Sequence, residues 1–146
     1  MPTLEEVKTQ WSVDSTIDNT KFENEVVRTA LLHSKYLDYL IFFRAKRAAA
    51  LKKLNLMKNV KRRFYRGEMT LTELKERQWD QWQGLKPSIS ELNLLFEQDT
   101  DLNELEETLE YYNTALAAVE YIMKAIGSRS YEIRTMVDWA KFQAGG

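Results

Sequence analysis

The stretch "LNELEETLEYYNTALAAVEYIMKAI", residues 102–126, decides the fold class. Its apolar residues Leu102, Leu105, Leu109, Tyr112, Leu116, Val119, Met123 and Ile126 follow one another at spacings of 3, 4, 3, 4, 3, 4 and 3. That is a helical heptad seam over about three and a half repeats. A strand does not keep this rhythm, because its side chains alternate with a period of two. Ala115 and Ile122 flank the seam, so the stripe is wider than a two-stranded coiled coil requires and suits a helix touching more than one neighbour. A bundle within one chain satisfies such a stripe, and so does an oligomer. Oligomerisation is the expectation here, because a helical chain of 146 residues drawn out over one very long helix has little surface for a self-contained core.

The rest of the chain agrees with an all-α fold: a long N-terminal helix, shorter helices, and C-terminal helices forming a coiled-coil-like oligomer interface. Only two prolines and five glycines punctuate the sequence, and β-branched alternation is nowhere sustained. Capping-box spacing marks helix starts at Thr3 with Glu6, Thr20 with Glu23, Thr70 with Glu73 and Ser88 with Glu91. The expected order is a short helix over 3–11, a long one from Thr20 to Gly67, a third over 70–82, and a fourth from Ser88 with a break near Asp99 and Asp101. The fourth ends at Gly127, and a last helix covers 129–142. No linker or repeat divides the chain, so 1–146 reads as a single helical domain. In the long helix Phe22, Val26, Ala30, His33, Leu37 and Ile41 form an apolar stripe, with His33 as a hydrogen-bonded packing residue. Trp79 and Trp82, at i and i+3, clamp the third helix onto its neighbours, with base stacking by either ring as the alternative reading.

The net charge of −1 conceals two blocks of opposite sign. Tyr39–Gly67 carries ten basic residues and no acid, whereas Pro87–Met123 carries nine acids and no base. Around a helix axis Arg44, Arg47, Lys52, Lys58, Arg62, Arg63 and Arg66 share an arc of about 160°, opposite Phe42, Ala49, Leu56, Val60 and Phe64. A solvated helix face normally interleaves the signs, because carboxylates at i+4 support it and like charges at that spacing repel. A row of cations without that support fits phosphates as the missing counter-charge, and Phe64 and Tyr65 at the densest point offer π-faces to a splayed base. Three readings of the block stand: a nucleic-acid surface, a plain solvated face, and a dock for an acidic protein or lipid surface.

Enzyme signatures are missing from the sequence: no Gly-rich phosphate loop, no metal-ligand spacing and no nucleophile elbow. Zero cysteines exclude disulfides and thiolate sites, and no run is apolar enough for a membrane span. A soluble intracellular protein with neither catalytic residues nor cofactor nor metal is expected.

The segment "IDNTKFENEVVRTALLHSKYLDYL", with Ile17, Asp18, Thr20, Lys21, Ser34, Lys35 and Tyr36, resembles the N-terminal part of the UvsY family, the recombination mediators of T-even-like phages. The ending "DWAKFQAGG" resembles that family's aromatic-rich C-terminal helix. Residues 17–67 and 100–146 carry the likeness. It implies a non-enzymatic factor in the cytoplasm of an infected bacterium that binds single-stranded DNA as a ring-like homo-oligomer of six or seven subunits. Such a factor works against the single-strand-binding protein and helps a RecA-like recombinase assemble. The family's DNA-binding stretch, Lys-Ala-Arg-Leu-Asp-Tyr-Tyr with a following Ser-Gly, falls on Asn59–Gly67, with its arginine on Lys61, its aromatic pair on Phe64 and Tyr65, and its lysine on Asn59. The candidate DNA-binding residues are therefore Arg44, Arg47, Lys52, Lys58, Lys61, Arg62, Arg63, Phe64, Tyr65 and Arg66. The candidate oligomerisation residues are the eight of the seam. The alternative is an oligomeric scaffold whose basic helix docks an acidic protein surface without nucleic acid.

Overall fold

A computed structural model describes residues 1–145, which form five helices and no strand. They are α1 (Leu4–Asp14), α2 (Phe22–Tyr65), α3 (Leu71–Arg77), α4 (Ile89–Gln98) and α5 (Thr100–Gln143). Three of the four expected capping boxes close: the side chains of Thr3, Thr70 and Ser88 each accept from the backbone of the glutamate three residues on, which answers in return. The fourth does not. Asp18 takes the Thr20 amide at 2.9 Å and also the Thr20 hydroxyl, and α2 begins after this turn.

The helix ends follow local chemistry. Gly67, at φ 69°, closes α2, with Glu68 N–H donating to Arg63 O at 2.8 Å and Gly67 N–H to Phe64 O at 3.1 Å. The third helix is shorter than expected. Gln78 adopts a left-handed conformation at φ 60° and Trp79 N–H turns back to Leu74 O at 2.9 Å, so the chain leaves the helix before either tryptophan. Asp99, extended at ψ 120°, ends α4 and starts α5 by accepting from Leu102 N–H at 2.9 Å, where the sequence placed a break. Gly127 breaks nothing. Mid-helix glycine costs only about 1 kcal/mol, and Arg129 and Ile133, both buried just beyond it, hold α5 straight through to Gln143.

Packing groups the residues into two compact units, Met1–Lys46 with Tyr112–Gly146, and Arg47–Tyr111. In the first, Val7 of α1, Leu32, Tyr36, Leu40 and Phe43 of α2, and Ala115, Val119, Ile122 and Ile126 of α5 form one buried cluster. Full burial of each large side chain contributes about 1.5–3 kcal/mol. Trp11 and Tyr39 meet the Tyr36 ring edge-on, each with centroids 5.4 Å away. Asp14, the last residue of α1, receives Lys35 Nζ at 2.6 Å and the Tyr36 hydroxyl at 2.9 Å. Burial pushes its carboxyl pKa up, but those two donors outweigh it and hold the pKa below the ordinary value.

The expected apolar stripe of α2 lies on the wrong face. Val26, Ala30, His33, Leu37 and Ile41 are exposed, and the buried row is Glu25, Leu32, Tyr36, Leu40 and Phe43. His33 is thus a surface residue and packs nothing. The row that is buried begins with a charge, which hid it from a reading based on hydropathy. Glu25 is satisfied by Arg129, which is 2% exposed. The Arg129 guanidinium donates to the Glu25 carboxylate, to Thr29 Oγ1 at 3.1 Å, and to the carbonyls of Ser15 and Thr16, both at 3.2 Å.

Candidate nucleic-acid interface

The second unit contains the basic part of α2, and helical periodicity gathers its buried side chains into one row. Ala50, Leu54, Lys61 and Tyr65, spaced 4, 7 and 4, are buried. Arg47, Lys52, Lys53, Arg62, Arg63 and Arg66 are exposed, and Lys58 is half-buried. The buried row lies roughly a quarter turn from the apolar face expected from Ala49, Leu56, Val60 and Phe64. Leu56 and Ala49 instead stand in solvent. On the exposed side Arg47, Leu51, Lys52, Asn55 and Asn59 line a shallow depression of about 380 Å³. Asn59 Oδ1 accepts from Arg62 Nη1 at 2.8 Å, which positions a guanidinium at its end.

Among the described residues, Lys52, Lys53 and Arg62 form no ion pair, and neither does the exposed Arg44 of the first unit. Three other cations have carboxylate neighbours at the surface. Arg63 grips Glu73 with two nitrogens at 2.7 and 2.8 Å, Arg66 Nε lies 3.2 Å from Glu68, and Lys58 lies 4.0 Å from Glu106. The fork from Arg63 holds the Glu73 carboxyl down at about 2. Exposed pairs of this kind contribute little and are screened by salt, so a phosphate competes with them on nearly equal terms.

Lys61 and Tyr65 are in a different position and correct the sequence-based list. Lys61, 6% exposed, is clamped between Asp99 at 3.0 Å and Asp101 at 2.7 Å, with its ammonium 4.2 Å from the centre of the Trp79 ring. The Tyr65 hydroxyl is buried and donates to Asp99 at 2.6 Å. Burial and the adjoining carboxylate push the phenol far above its ordinary pKa. Neither side chain faces solvent, because each neutralises or satisfies Asp99, the residue that starts α5. Phe64 is half-buried, edge-on to Tyr65 at 5.1 Å and to Trp79 at 5.3 Å.

The sequence model of a family described as "Recombination, repair and ssDNA binding protein UvsY" matches residues 10–146. The chain belongs to the UvsY family. Its fold is that of the bacteriophage T4 recombination mediator protein UvsY, whose crystal structures superpose with TM-scores of 0.84 and 0.85 at 20% and 21% identity. These matches cover 97% and 99% of this chain and 99% of the T4 chain. No curated protein matches it. Among the described residues no helix is long and apolar enough to cross a membrane, and no group of acidic residues and histidine is arranged to hold a metal ion.

For a UvsY-family chain, the periodicity of this helix proved a better guide to solvent access than its alignment with the family stretch. The 160° arc had left Lys61 and Tyr65 out, and the alignment put them back. Asp99, Asp101 and Glu73 were missed as internal counter-charges. One signal was available for Asp99: an aspartate at a break between two helices is a cap, and a cap is drawn inward. The seam is covered only in part. Leu102, Val119 and Ile126 are buried within their own units, and Leu105, Leu109, Tyr112, Leu116 and Met123 are half-buried.

Proposed function

We propose that the chain is a non-enzymatic recombination mediator that binds single-stranded DNA as a homo-oligomer and helps a RecA-like recombinase load onto DNA covered by single-strand-binding protein. The observation that carries this reading is the set of exposed cations on α2, Lys52 and Arg62 on one arc and Lys53 on the opposite side from Arg62, that form no ion pair among the described residues. Family membership supports it. Charge of this kind grips backbone and reads no base edges, so sequence preference is weak. Log affinity for a single strand then falls with log salt by about 0.7 per phosphate neutralised. The test is a fluorescence-anisotropy titration of single- and double-stranded oligonucleotides across salt. Lys52→Ala, Lys53→Ala and Arg62→Ala together are expected to weaken single-strand binding at least tenfold and flatten the slope by about 2, with the urea midpoint unchanged. An affinity insensitive to salt, or equal in the triple variant, overturns the reading.

Assembly is proposed through surface the first unit leaves uncovered. Val26, Val27, Leu31 and Ile41 of α2, and Tyr121, Tyr131, Trp139 and Phe142 of α5, all stand in solvent. A soluble chain rarely leaves so many large apolar side chains on two helices unless they meet a partner. Leu31→Asp with Ile41→Asp is expected to reduce the particle mass in light scattering while keeping the helical circular-dichroism signal, since neither side chain is in the core. Unchanged mass excludes this face from the interface.

The scaffold reading keeps one supporting observation. Glu104, Glu107 and Glu110 of α5 are exposed in the same unit as these cations, so a second copy is itself an acidic protein surface. The same oligonucleotide titration separates the two, because a scaffold leaves the probe unbound.

A further inference from the structure

The segment between α3 and α4 has no part in the set of exposed cations, yet its backbone is shaped to present two indoles. The capping box of α3, the left-handed Gln78 and the Trp79 N–H to Leu74 bond fix where the chain leaves the helix. Gly84 lies flat on the Trp82 ring: a Cβ there would come within 2.6–2.7 Å of the indole, so no other residue allows the approach. The Trp82 ring in turn meets Tyr65 edge-on at 4.9 Å. Its indole N–H is buried without an acceptor, a donor that this arrangement leaves unused. Packing accounts for the edge contacts of Trp82 with Tyr65 and of Trp79 with Phe64, and Lys61 and Arg77 lie against the Trp79 ring. These contacts do not explain the open cleft of about 700 Å³ that the same segment encloses, walled by Phe64, Trp79 and Trp82 and edged by Gln81, Gln83 and Asp80.

We propose that this cleft takes one unstacked nucleobase of a bound strand. The proposal rests on the single-strand reading above and adds to it a base site distinct from the exposed cations. An aromatic wall stacks on any base, and base–aromatic stacking is worth about 1–3 kcal/mol per base. The polar edge is chosen for a base and against a phosphate. Lys61 and Asp101 also line it but neutralise each other at 2.7 Å, which leaves the Asp80 carboxylate to repel an anion and to accept from the exocyclic amino groups of adenine, cytosine and guanine. The glutamine amides both donate and accept, which suits the mixed edge of a base. The phosphates flanking such a base are left to Arg62 and Arg66, exposed on the turn of α2 that carries Phe64. Thymine has no amino group, so the cleft favours the other three bases over it.

The experiment compares four strands of one length at one salt concentration: oligo-dA, oligo-dC, oligo-dT and a strand with the same phosphates but abasic sugars. The full-length protein is expected to bind oligo-dA and oligo-dC about fivefold or more tighter than the abasic strand, with oligo-dT between. Asp80→Ala, at an exposed side chain, is expected to erase the advantage of dA and dC over dT when each is referred to the abasic strand, with the urea midpoint unchanged. Trp79→Phe keeps an aromatic wall and is expected to keep most of the preference for intact strands over abasic ones. If abasic and intact strands bind equally well, the cleft holds no base while the exposed cations still hold a strand. If no strand binds, the single-strand reading falls and takes this proposal with it.

Discussion

Arg129→Leu is expected to cost unfolding free energy at the low end of about 3–5 kcal/mol, because it removes the buried cation of the Glu25 carboxylate and leaves it only the partly exposed Arg28, 3.1 Å away. The loss has a second part. The guanidinium also serves Thr29 Oγ1 and the carbonyls of Ser15 and Thr16; the first two lose their donor, whereas Thr16 O keeps Arg28 at 3.0 Å. For a chain of this length the thermal midpoint should fall by roughly 10 °C or more. Arg129→Lys separates the two parts: it retains the charge and gives up the planar fork, so it should lie between wild type and the leucine variant. Glu25→Gln combined with Arg129→Met should recover much of the loss, since neither residue then carries a buried charge. Urea unfolding followed by circular dichroism measures all four proteins. A loss below about 1 kcal/mol in Arg129→Leu is the value for a solvated pair and contradicts the burial argued here.

The same pair explains which parts of the fold could be read in advance. Helix starts were legible because a capping box is a local pattern in which residues three apart satisfy one another and nothing distant intervenes. Thr3, Thr70 and Ser88 behaved accordingly. At Thr20 a competitor two residues upstream, Asp18, reached the amide first. The buried face of α2 was not legible, because its row carries a charge near each end, Glu25 and Lys61, and hydropathy counts both as surface. Each is answered by a residue far along the chain, Arg129 and Asp99. A period of 3.6 gives the spacing of a face but not its bearing when the charges on it are paired at long range. Gly127 was misread for a related reason: the propensity penalty is small beside the burial of Arg129 and Ile133. For the candidate site, the exposed cations followed from the angular sorting of charge alone. The buried Lys61 and Tyr65 entered only through the family likeness, which transfers residue positions without their surroundings.

Lys61→Ala is expected to unfold the second unit before it tells anything about DNA. It leaves Asp99, 5% exposed, with its charge but without the ammonium 3.0 Å away, again a loss of about 3–5 kcal/mol. It also removes the cation lying over Trp79. Arg62→Ala, one residue on and in solvent, should do the opposite, weakening single-strand binding with little change in stability. Lys61→Met with Asp99→Asn tests the assignment most sharply, because asparagine still caps α5 and methionine still fills the space. That double variant should regain stability and bind single strands about as well as the wild type. If it folds and binds tenfold worse, Lys61 contacts the strand and the buried position is not its working one. The pH dependence gives an independent check. Burial pushes the Asp99 carboxyl up, but the Tyr65 hydroxyl, the Leu102 N–H and Lys61 outweigh it and hold its pKa below the ordinary value. A carboxyl depressed in the folded state binds fewer protons there than in the unfolded chain, so its stabilisation is complete above the unfolded value of about 3.9 and is lost as pH falls through the folded one. Acid should therefore destabilise the wild type more steeply than Lys61→Met with Asp99→Asn, in which that carboxyl no longer exists.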